Sequence, residues 1–140
     1  MKDKYIETYS HDSQGYNPCL IAGKWQAAFL NYAREEALES ITKLDIHHLT
    51  DEAFVLLKGE VTIIAAAILN GKVDFETIRM VPGIIYNIPR ETWHKVAMEE
   101  GSSLLIVEDS YTHVSDFEFY DLSEEDKKNL ADAVHKAKTA

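Results

Sequence analysis

The sequence predicts an all-β sandwich or barrel with one helix at its C-terminal end. Three observations lead there. From about residue 19 to about residue 110, short runs rich in Val, Ile, Leu, Phe and Tyr follow one another, with turn residues between them. One of those turns is Asn70-Gly71, the strongest short-range hairpin signal in the chain. Past Leu122 the apolar spacing changes from strand-like to helical.

The elements follow in order. The opening stretch through Pro18 is polar and reads as an arm or loop. Lys24–Tyr32 is an apolar and aromatic run. Ile41–His47 alternates, with Ile41, Lys43, Asp45 and His47 on one face and Thr42, Leu44 and Ile46 on the other. Ala53–Leu57 and Val61–Leu69 are strands split by the turn Lys58-Gly59-Glu60. Asn70-Gly71 joins Val61–Leu69 to Val73–Met80, because a type I′ turn needs two positive φ angles. Pro82-Gly83 turns into Ile84–Ile88, Pro89 separates that run from Thr92–Ala97, and Glu100-Gly101-Ser102 leads into Ser103–Glu108. Ser123 is a good N-cap, with Glu124 and Glu125 at the positive end of the helix dipole and Asp126 three residues on. Leu130, Ala133, Val134 and Ala137 then recur at helical spacing, so an amphipathic helix is expected over about 123–136.

Composition bounds the function. At 140 residues the chain suits one domain with a real core. Cys19 is the lone cysteine, which excludes an internal disulfide and a cysteine-based metal site and suits a reduced cytosol. The net charge of −10 repels phosphate backbones, so nucleic acid is not an expected partner. The first twenty residues hold no apolar run of signal-peptide length, and Val61–Leu69 is too short to span a bilayer. A cytoplasmic protein without a membrane partner is the expectation. No nucleophile elbow, Walker loop, dinucleotide fingerprint or zinc-finger spacing occurs.

Two segments concentrate the chemistry. The first runs from Asp45 through His47, His48 and Glu52 to Gly59; the second runs from Gly83 through Tyr86 and Pro89 to His94. Glu52 opens the apolar run AFVLL, and His94 lies between Trp93 and Val96. An ionisable group in such surroundings is costly unless it is paired, hydrogen-bonded or bound to metal. Two imidazoles and one carboxylate with open positions suit non-haem Fe, and also Mn, Ni, Zn or Cu.

At these residues the chain resembles the cupin superfamily. Glu52, six residues and Gly59 match the end of the family's first motif, with His47 or His48 as its second histidine. Gly83, Pro89 and His94 match the second motif at its spacing. Trp25, Thr50–Gly59 and Tyr86–His94 are similar to small single-domain bacterial cupins without an assigned activity. The resemblance implies a jelly-roll barrel, a divalent metal held by His47, Glu52 and His94, and a homodimer. It departs from the family where the first-motif histidine should stand, at Asp45 or Ile46, and where Glu91 replaces a glycine and Met98 an asparagine. Alternation favours His47 over His48 as the inward residue, and Asp45 on the same face is a candidate carboxylate ligand. Tyr86 and Phe54 are candidates to line a small-molecule pocket; Arg79 and Arg90 are candidates to grip a carboxylate. His11, His113 and His135 fall in polar contexts and carry no role.

Three functions fit these residues. One is a metal-dependent oxygenase, isomerase or lyase acting on a small polar molecule. Another is a non-enzymatic ligand-binding or sensing barrel. The third is a metal-free epimerase or isomerase in which a His–carboxylate pair is the general base.

Overall fold

A computed structural model describes residues 5–139. Ten strands form two five-stranded antiparallel sheets, faced together as a jelly roll. The strands are β1 (Gly15–Ala22), β2 (Trp25–Asn31), β3 (Lys43–Ile46), β4 (Glu52–Lys58) and β5 (Val61–Leu69), then β6 (Lys72–Arg79), β7 (Tyr86–Ile88), β8 (Trp93–Met98), β9 (Ser103–Asp109) and β10 (Glu118–Asp121). A one-turn helix α1 (Thr112–Ser115) precedes β10, and α2 (Glu124–Thr139) ends the described chain. The order is β1-β2-β9-β4-β7 in one sheet and β10-β3-β8-β5-β6 in the other.

The alternation of side chains builds two cores. Between the sheets lie Ala28, Leu30, Phe54, Leu56, Ile63, Val96, Leu104 and Ile106. On the outer face of the second sheet, Leu44, Ile64 and Ala97 meet Leu122, Leu130 and Val134 around α2. Fully burying an aliphatic side chain contributes roughly 1.5–3 kcal/mol. Leu130 and Val134 therefore fix the helix against the barrel. Its N-terminus closes as a reciprocal cap: the Asp126 N–H donates to Ser123 Oγ and the Ser123 N–H donates to Asp126 Oδ2, both at 3.0 Å.

The β5–β6 hairpin turns at Asn70 and Gly71 with φ of 52° and 76°, the geometry of a type I′ turn. Gly59 is held for a second reason. A Cβ there would lie 2.4 Å from Ser102 Oγ and 2.6 Å from Ser102 Cα.

The opening stretch departs from its expected loop. β1 begins at Gly15, and Pro18 falls inside it at a register shift between Asn17 and Leu20. An edge strand tolerates proline there, because its missing N–H faces no partner. Neither the short strand β10 nor α1 was expected. No described helix is long and apolar enough to cross a membrane.

Candidate metal centre

Three segments converge at one end of the barrel. β8 carries His94 inward, opposite Asp45 of β3 and Ala65 of β5. The facing sheet carries Glu52 at the start of β4, where Phe54 and Leu56 continue the same buried face. His47 stands just past β3, at a turn tied to the second motif by the Glu91 N–H, which donates to the His47 carbonyl at 2.7 Å. Glu91 takes φ of 66°, so the backbone keeps the left-handed conformation that suits glycine, although a glutamate fills the position.

Both imidazoles are anchored through Nδ1. His47 Nδ1 donates to the Asp116 carbonyl at 2.6 Å, and His94 Nδ1 donates to the Thr92 carbonyl at 2.9 Å. A carbonyl oxygen only accepts, so Nδ1 holds the proton in each ring and Nε2 is left to face inward. The two Nε2 atoms reach the same oxygen: Glu52 Oε1 lies 3.1 Å from His47 and 3.0 Å from His94. Among the described residues this is the one group of three or more such side chains whose ligand atoms all lie within 4.8 Å of one another.

The electrostatics follow from that convergence. Burial opposes ionisation of Glu52, but the hydrogen bonds and charge of both histidines outweigh it and hold its carboxyl far below the ordinary range. Burial works against a charged His47, yet the Glu52 hydrogen bond and charge, with the Asp116 carbonyl, lift it to about 9. Three lone-pair-bearing atoms aimed at one another need a cation or a proton between them. A divalent ion meets that need, and a histidine donating its other ring N–H to a backbone carbonyl is the usual support of a metal ligand.

The group opens on a cavity of about 320 Å³, within the range of small-molecule sites. Phe54 lines it, in edge contact with His94 at 6.4 Å between ring centroids. Tyr86 does not. It lines a separate cavity with Ile63 and Ile88, and its hydroxyl accepts the Val81 N–H at 2.9 Å. Asp45 borders the main cavity, but its carboxylate is engaged by Lys95 Nζ at 3.3 Å. His48 turns outward to Glu91 and Glu118. Arg79 pairs with Glu60 and Arg90 with Asp51, both away from the cavity.

Several residues at the cavity were not anticipated. Glu108 of β9 is buried beside Glu52, and its Oε1 accepts the Tyr16 hydroxyl at 2.6 Å and Gln26 Nε2 at 3.4 Å. Burial, followed by the Glu52 charge, raises its carboxyl to about 7. Gln26 Nε2 also meets His113 Nδ1 at 3.1 Å. The signal for Glu108 was available: Leu104, Ile106 and Glu108 share one face of the strand, so the acid extends a buried apolar row. Asp116 had no such signal, because its role depends on a loop that folds back across the turn at His47.

No protein-family model matches the chain, and no curated protein matches it in sequence. Solved structures do match in fold. QdtA from Thermoanaerobacterium thermosaccharolyticum, a sugar 3,4-ketoisomerase crystallised with TDP, is 17% identical over 79% of this chain and 73% of its own, with a TM-score of 0.51. The capsular polysaccharide assembling protein CapF from Staphylococcus aureus is 15% identical over 85% of this chain, with a TM-score of 0.52; the match spans 35% of CapF. A cupin-2 domain containing protein from Shewanella frigidimarina is 18% identical over 69% of this chain and 82% of its own, with a TM-score of 0.48. Two facing antiparallel sheets, the motif histidines and glutamate gathered at one end, and the likeness in fold to QdtA and CapF lead to one conclusion: the chain has the cupin fold.

Proposed function

We propose that the barrel binds one divalent metal ion through His47, Glu52 and His94 and uses it to bind and transform a small polar organic molecule in the adjoining cavity. The carrying observation is that backbone carbonyls take the Nδ1–H of both imidazoles, which leaves each Nε2 facing one carboxylate oxygen. When bound, such an ion supplies Lewis-acid polarisation of a ligand oxygen. The chain's own side chains do the rest. Leu30, Phe54, Val96 and Ile106 give the cavity an apolar wall beside the three ligands. Backbone carbonyls hold both rings in place.

The charge of the cavity narrows the ligand. Lys95 is the one lysine or arginine among its lining residues, and Asp45 engages it. Glu36, Glu52 and Glu108 line the same space. A neutral, hydroxyl- or carbonyl-bearing molecule suits this wall better than a phosphate ester. QdtA, which is similar in fold, was crystallised with TDP, which supports small-ligand binding.

A metal-free reading has its own support: Glu52 within 3.1 Å of both imidazoles is also an acid–base network. Elemental analysis of untagged protein separates the two. About one ion per chain is expected after reconstitution, and less than about 0.1 would remove the metal reading. His94→Ala should then bind the ion about a hundredfold more weakly.

A further inference from the structure

The centre has a neighbour that the three-residue set leaves out. Glu108 is 5% exposed, and its Oε2 is buried with no hydrogen-bond partner among the described residues. A carboxylate oxygen in that position costs stability unless something positive meets it. Its other oxygen is fixed by Tyr16 and Gln26, and Gln26 Oε1 in turn accepts the Tyr111 N–H at 2.8 Å. Oε2 is thereby held toward the centre, 4.0 Å from His47 Nε2. That distance is too long for a hydrogen bond. It is the span of two donors on opposite sides of one octahedral ion, at bonds of roughly 2.0–2.1 Å each.

The register of the sheet explains the placement. Gln26 pairs with Glu108 across β2 and β9, and Ala53 pairs with Val107 across β4 and β9. Glu52 therefore stands one step along from that second pair, beside Glu108. The alternatives for a fourth donor are spoken for: Asp45 by Lys95, His48 by Glu91 and Glu118.

We propose that Glu108 is a fourth ligand of the ion held by His47, Glu52 and His94, making a two-histidine, two-carboxylate centre for an oxygen-preferring divalent cation such as Mn²⁺. This rests on the metal reading of the cavity. Two carboxylates neutralise a dication, and a donor set with two oxygens shifts preference from Cu²⁺ and Zn²⁺ toward harder ions.

The test is calorimetric titration of untagged protein with MnCl₂. Wild type should bind one ion, Glu108→Gln at least about tenfold more weakly, and His94→Ala about a hundredfold more weakly or not at all. Asp45→Asn should stay within about threefold of wild type. Glu108→Gln binding within threefold of wild type overturns this inference and leaves the three-ligand site standing. Wild type that takes neither Mn²⁺ nor Zn²⁺ overturns the metal reading itself, and this inference with it. If Glu108→Gln shows no cooperative thermal transition, crystals of Mn²⁺-loaded wild type decide the matter. Oε2 within about 2.4 Å of the ion supports it, and beyond about 3 Å overturns it.

Discussion

His47 and His94 lie with ring centroids 5.0 Å apart and planes tilted by 53°, although they come from segments on opposite sides of the β5–β6 hairpin. Each ring is pinned by a different backbone carbonyl. Those carbonyls belong to the fold's own backbone, which preorganises the two rings. That preorganisation underlies the predictions that follow.

Asp116 is a positioning residue. Its carbonyl accepts His47 Nδ1–H, and its carboxylate accepts the backbone N–H groups of His48 and Leu49 at 2.9 and 3.0 Å. Asp116→Ala removes the two caps and loosens the turn. A loss of about 1–2 kcal/mol in stability is expected by denaturant titration. Metal affinity should fall about tenfold or more, because the ring loses its fixed orientation. Unchanged affinity would show that His47 needs no such support.

The pH dependence of the metal-free protein has a definite sign. The folded pKa of His47 is raised from 6.5 to about 9, so its contribution is complete below pH 6.5 and vanishes as pH climbs toward 9. Glu108, raised from 4.5 to about 7, also weakens the fold as pH rises through that lower window. Glu52 is depressed, and its contribution disappears as pH falls below 4.5. Thermal melts of chelator-treated protein should therefore show Tm falling between pH 6.5 and 9. Glu52→Gln should flatten that fall, since it removes the partner that keeps His47 charged.

Metal binding reverses the slope. A proton on His47 competes with the ion, so affinity should rise with pH up to about 9. Titrations at pH 6 and pH 8 check this, and equal affinities would contradict it.

Gly59→Ala tests the barrel rather than the site. The position has φ of 83° and a Ser102 backbone atom 2.6 Å from where Cβ would fall. A left-handed alanine alone costs about 1–3 kcal/mol. A Tm within a degree or two of wild type would mean that the turn shifts freely.

Much of this was legible in the chain. The strand pattern, the Asn70-Gly71 turn and the capped helix are local features, and each element formed where its residues favoured it. The resemblance carried by Glu52, Gly59, Gly83, Pro89 and His94 implied a site inside a barrel. What stayed hidden depends on contacts distant in sequence. Asp45 shares a face with His47, but Lys95 on the neighbouring strand engages its carboxylate. Tyr86 reads as a pocket residue, yet its strand lies at the sheet edge and turns the ring to another cavity. Phe117 and Phe119 border the site only because β10 pairs with β3, a pairing no local pattern announces.

The most direct measurement is pulsed electron paramagnetic resonance on protein loaded with one Cu²⁺ per chain, which counts bound imidazoles. Two coupled imidazole nitrogens in wild type, falling to one in His94→Ala, are predicted. One or none in wild type, or two that persist after His94 is removed, would contradict a centre built on residues 47 and 94.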